Sequence, residues 1–142
     1  MSPTPRQLAD DLLAAVLDAN PVAATVVGIR DREDRLPDPS EAGDAAYRDR
    51  LDRILAGAGR HDDAGRHDDG PDRVTLAVVR ELARAELDQL AVRAVEYAVI
   101  DSFEAAALGQ LMLLSMTGIT EPAHADGYLA RLSGLPRYLD RV

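Results

Sequence analysis

A chain of 142 residues with 46% apolar content is long enough for one domain with a real core, yet aromatics are only 4% and Trp is absent, so Leu, Val, Ala and Met must build that core. A formal net charge of -9 speaks against nucleic acid and against an anionic membrane surface. Zero Cys removes disulfides, zinc ribbons and thiol nucleophiles together.

All 16 basic residues are Arg, which reads as coding bias from a GC-rich bacterial genome. No apolar run approaches the ~18 residues of a membrane span. Asp10 and Asp11 stand where a signal peptide needs an apolar centre, so a cytoplasmic location is expected.

In chain order, Thr4-Pro5-Arg6-Gln7 predicts a helix start, with Thr4 as cap and Gln7 closing a capping box. Leu8, Leu12, Ala15, Val16 and Ala19 line one face, and Leu13 and Leu17 widen it. Asn20-Pro21 opens a short second helix to Val27, ended by Gly28. Its β-branched residues Val22, Thr25, Val26 and Val27 leave a strand as the alternative. Residues 29–40 are polar and broken by Pro37 and Pro39, an ordered loop with Leu36 as anchor. Ser40 caps a third helix to about Leu55, with Ala46, Tyr47, Leu51, Ile54 and Leu55 as its apolar stripe and an Asp49–Arg53 pair on its surface.

Residues 57–70 read as a flexible loop. They contain a tandem repeat, Gly59-Arg60-His61-Asp62-Asp63-Ala64 followed by Gly65-Arg66-His67-Asp68-Asp69-Gly70, with nothing apolar larger than Ala. The run Asp72 to Tyr97 is the longest uninterrupted helical pattern. Val74, Val78, Leu82, Ala85 and Val92 lie on one flank, with Val79, Ala83, Leu90 and Tyr97 on the next. So wide an arc predicts a central helix covered on more than one side. Asp101 to Glu104 resembles a capping box for a fifth helix through Met116, whose Leu111, Met112, Leu113 and Leu114 predict deep burial. Thr120-Glu121-Pro122 opens a sixth helix, Ser133-Gly134-Leu135-Pro136 breaks it, and Pro136 starts a further helical segment carrying Tyr138 and Leu139. The fold class expected is all-α, an irregular bundle of about five to seven helices around Asp72–Tyr97, forming one domain over residues 1–142.

Few residues suggest chemistry. His61 and His67 with their aspartates are the one metal-like cluster, but a glycine-flanked repeat offers no fixed geometry and reads as a linker. His124 beside Asp126 has no nucleophile or paired base in evidence. Asp10, Asp11, Glu81, Arg84 and Glu96 are solvated helix charges, with Glu96 placed to pair with Arg93. There is no phosphate-binding glycine loop, no Gly-x-Ser-x-Gly and no His-Glu-x-x-His run. No catalytic, cofactor-binding or metal residue is therefore assigned.

Asn20-Pro21-Val22-Ala23-Ala24-Thr25-Val26-Val27-Gly28, followed by Asp34-Arg35-Leu36-Pro37-Asp38, resembles the opening of a bacterial family catalogued as domain of unknown function 885. Asp72-Arg73 leading into a long helix is similar to its next segment. So is Thr120-Glu121-Pro122 to Ala130-Arg131-Leu132, then Leu135-Pro136-Arg137-Tyr138-Leu139. The resemblance covers almost all 142 residues. It implies an all-helical protein whose later region carries a His-Glu-x-x-His motif, as in a zinc-dependent peptidase. No family catalytic residue maps onto this sequence. The expectation is a non-catalytic amino-terminal scaffold of a larger protein, whose partner is the remainder of that protein or a second copy. The alternative is a free-standing acidic helical adaptor. Either leaves apolar surface open around Leu111–Leu114 or Tyr138–Val142, favouring self-association.

Overall fold

The computed structural model describes residues 3–63, 70–92 and 106–141. It is all-α: α1 Pro5–Ala19, α2 Pro21–Val26, α3 Glu41–Asp63, α4 Pro71–Val92, α5 Ala106–Ser115 and α6 Pro122–Leu139, with no strand among the described residues. The chain divides into two compact units, residues 1–16 with 44–92 and residues 17–43 with 93–142.

The first unit is built by helical spacing. Leu8, Leu12 and Ala15 on α1, Leu51, Ile54 and Ala58 on α3, and Leu76, Val79 and Ala83 on α4 form one buried cluster. Each triplet recurs at three- or four-residue intervals, which places it on a single face. The capping box at the start of α1 is present, with Thr4 N donating to Gln7 Oε1 at 2.8 Å and Gln7 N to Thr4 Oγ1 at 3.2 Å.

Helix α3 runs eight residues past the expected end at Leu55, so residues 57–63 are helix rather than loop. Tertiary contacts override the poor helix propensity of glycine here. A Cβ on Gly57 would lie 2.7 Å from Leu8 Cδ2, so glycine lets α1 approach. Arg80 Nη2 donates to Ala58 O at 2.7 Å, and His61 Nε2 lies 2.8 Å from Pro3 O. The rest of the repeat, residues 64–69, lies outside the described residues, as do residues 93–105 with the expected Asp101–Glu104 cap and the Arg93–Glu96 pair. Arg53 bonds the Asp49 carbonyl at 3.1 Å rather than its carboxylate.

Helix α4 is described to Val92, short of Tyr97, and among the described residues its burial is confined to one side. Leu76, Val79 and Ala83 are buried, whereas Val74, Val78, Leu82 and Val92 are 64%, 49%, 54% and 65% exposed. The arc used by α1 and α3 takes one flank and leaves the other to solvent.

In the second unit α2 is a helix, not a strand, and packs against α5. Asn20 flanks it without a side-chain cap bond. Its C-terminus is a Schellman motif: Gly28 takes φ 91°, Gly28 N donates to Thr25 O and Ile29 N to Ala24 O. Ser40 caps α3 through Gly43 N at 3.1 Å. Helix α5 is not deeply buried: Leu114 is, but Leu111 and Met112 are exposed. The six residues of α2 are too few to cover an element that is apolar all round.

Helix α6 does not break at Ser133–Pro136 but runs to Leu139 with Pro136 inside it. Proline removes one hydrogen bond, and buried contacts on both sides of it hold the helix together. Arg131 and Tyr138 are buried, and Gly134 lies against Leu36.

Candidate functional site

The polar segment of residues 29–40 lies along α6 as a strap. Glu33 sits over Gly127, where an added Cβ would come within 2.8 Å of Glu33 Cβ, and Leu36 sits over Gly134 at 3.3 Å. Further along, Asp38 Oδ1 is 3.7 Å from Arg141 Nη1. Gly127, Arg131 and Gly134 recur at four and three residues and so share one helix face. Two missing side chains make room for the strap, and the arginine between them holds it.

Arg131 is 1% exposed. Its Nε donates to Arg35 O at 2.7 Å, and its Nη2 to Arg32 O at 2.7 Å, Thr25 Oγ1 at 3.0 Å and Pro21 O at 3.3 Å. Thr25 Oγ1 in turn donates to Pro21 O at 3.2 Å. One planar fork thus ties α2 and the strap to α6, a task that suits guanidinium geometry and not an ammonium. Its bonded acceptors are all neutral. Burial pulls the Arg131 pKa below the ordinary arginine value, while the nearby charges of Glu33 and Asp34 oppose that shift. Glu33 is itself buried and pairs with Arg30, which also donates to Gly118 O at 2.9 Å. Arg32 Nε meets Asp18 Oδ1 at 2.6 Å, and that hydrogen bond raises the Arg32 pKa. Among the described residues, two buried polar atoms keep no protein partner, Nη1 of Arg131 and Oε1 of Gln110.

Leu36, the expected anchor of the loop, is half-buried; Arg131 and Glu33 are the deeper fixtures. The signal for Arg131 lay in the Ala130-Arg131-Leu132 stretch that carries the family resemblance. No periodicity argument could find it, because a lone Arg on a helix reads as surface.

His124 Nδ1 lies 3.1 Å from Thr120 Oγ1, and no group of three or more His, Asp or Glu able to hold a metal occurs among the described residues. His67, Asp68 and Asp69 lie outside them. A wider groove of about 450 Å³ between α3 and α4 is lined by Leu55, Gly59, Ala77, Arg80, Glu81 and Arg84. Its charges are already engaged, Arg80 with Ala58 O and Arg84 with Glu81 at 3.3 Å. No helix among the described residues is long and apolar enough to cross a membrane.

These features define an all-helical protein in which separate sequence motifs are joined through a buried arginine. The chain belongs to the family described as Bacterial protein of unknown function (DUF885), whose family model matches residues 21–142. Pro21, Thr25, Arg35 and Arg131, all within that span, are the residues that the guanidinium brings together. No curated protein and no solved structure matches the chain.

Proposed function

We propose that this chain is a non-catalytic, cytoplasmic helical scaffold, the amino-terminal portion of a larger peptidase-like protein whose remainder packs on its open apolar flanks. The observation that carries this reading is the flank of α4, where Val74, Val78 and Leu82 are about half or more exposed on the side away from the core. The exposed Leu111 and Met112 of α5, with Met116 just beyond its end, support it independently. Contiguous apolar surface of this kind is uncommon on a monomer and marks a face that binds protein.

The test is the double variant Val78→Asp/Leu82→Asp. In the chain alone it should cost less than about 1 kcal/mol, as exposed positions do, and it should abolish concentration-dependent self-association in light scattering. A loss above about 3 kcal/mol, the scale of core damage, would instead mean that the flank is packed within the chain. The purified chain should hold no stoichiometric zinc and cleave no peptide; zinc with turnover would overturn the non-enzyme reading. If the gene continues into no further helical segment, the same flank is that of a free-standing adaptor.

A further inference from the structure

Between the strap and α6 lies a groove of about 220 Å³ in which the second unit gathers positive charge. Arg131, Arg137 and Arg141 line it against Asp34 and Asp38, three positive groups and two negative, so the lining carries +1 in a chain of net -9. Leu36, Pro37 and Tyr138 supply an apolar wall.

The arginines are not equally committed. Arg131 is buried with only neutral bonded acceptors and an Nη1 that has none. A buried charge without a bonded counter-ion favours an anion nearby. Arg137 is exposed and makes no ion pair among the described residues. Among the described residues the Arg141 side chain pairs with Asp38 alone, at 3.7 Å and with both side chains more than half exposed, an attachment worth little. The volume lies under the ~300 Å³ at which drug-sized pockets begin, so the occupant is small.

We propose that this groove binds a small carboxylic acid with a short apolar stem. Arg137 and Arg141 take the carboxylate, the charge of Arg131, which no carboxylate bonds directly although Glu33 and Asp34 lie near it, adds to its attraction, and the stem lies against Leu36, Pro37 and Tyr138. Asp34 and Asp38 oppose the anion and set the selectivity against multiply charged ions.

Calorimetric titration of the full chain with 4-methylpentanoate, its amide and inorganic phosphate tests this. Saturable binding of the acid is expected, with the amide and phosphate each weaker by about tenfold or more, the scale of one lost charge-assisted contact or of the lost apolar stem. Arg137→Gln should weaken the acid by a similar factor, and Asp38→Asn, which releases Arg141, should tighten it. Both positions are exposed, and unchanged circular dichroism would show that the variants fold. At saturation, the guanidinium resonances of Arg131 in 15N-arginine-labelled protein should move. Equal binding of acid and amide, phosphate binding as tight as the acid, an Arg137→Gln variant with unaltered affinity, or Arg131 resonances that stay in place would each overturn the assignment.

Discussion

At the scale of single residues, Arg131 dominates the second unit. Replacing it with Met keeps much of its length but takes the donor from Arg35 O and Thr25 Oγ1, while Arg32 O keeps only the Arg35 backbone N–H at 3.1 Å. Each group so abandoned costs about 1–3 kcal/mol where it is shut off from water, so Arg131→Met should lower stability in urea by at least about 2 kcal/mol, or unfold the unit. Arg131→Lys should recover only part of that, since one ammonium cannot span the acceptors of a fork. Arg131 shows where sequence reading stops at this scale. The motif letters around it are recognisable, but the partners lie 96 to 110 positions away, and long-range hydrogen bonds have no periodicity. Local devices are legible for the opposite reason. The Thr4–Gln7 box, the Ser40 cap and the glycine turn at Gly28 each complete their hydrogen bonds within a few residues.

At the scale of elements, glycines separate what propensity can foresee from what packing decides. Gly59 and Gly127 are both helical, and by propensity alone alanine should improve either. A Cβ on Gly59 meets nothing within 4 Å, whereas on Gly127 it would press on Glu33. Gly59→Ala is therefore expected to stabilise by about 0.5–1 kcal/mol. Gly127→Ala should destabilise by about 1–3 kcal/mol, the usual range for overpacking. Paired thermal melts of the two variants check the signs. The same logic explains the two helices whose extents differ from the periodic pattern. Glycines in α3 and Pro136 in α6 read as breaks, yet Gly57 and Gly134 each admit a neighbouring leucine, and the helix persists through the contact.

At the scale of the whole molecule, the all-α class is legible because apolar spacing is a local property, and the first unit's core follows it residue by residue. Which apolar flank stays open is not local. The stripe of Val74, Val78 and Leu82 resembles the stripe of Leu76, Val79 and Ala83 in sequence, and only the placement of α1 and α3 separates them. The core edge also carries a pH dependence. Tyr47 donates to Glu86 Oε2 at 2.9 Å, and burial, helped by that carboxylate, pushes the phenol well above its ordinary value. A raised folded-state pKa means the folded chain binds the proton more tightly. The stabilisation is therefore complete below about pH 10 and is lost as the pH climbs beyond it. Melting temperatures between pH 8 and 11 should fall, and Tyr47→Phe should flatten the decline while costing about 0.5–1.5 kcal/mol at pH 8. Tyr138, also raised by burial, supplies the slope that remains.

The neutral cradle of Arg131 has a consequence for brine. Surface pairs such as Arg6–Asp10, 3.6 Å apart with side chains 87% and 64% exposed, stand in the open among mobile ions. At 1 M salt, screening shortens electrostatic reach to about 3 Å and silences such pairs. Carbonyl dipoles enclosed with their guanidinium admit no chloride or sodium between them, so the fastening of the strap should persist in concentrated salt after the outer charges have faded.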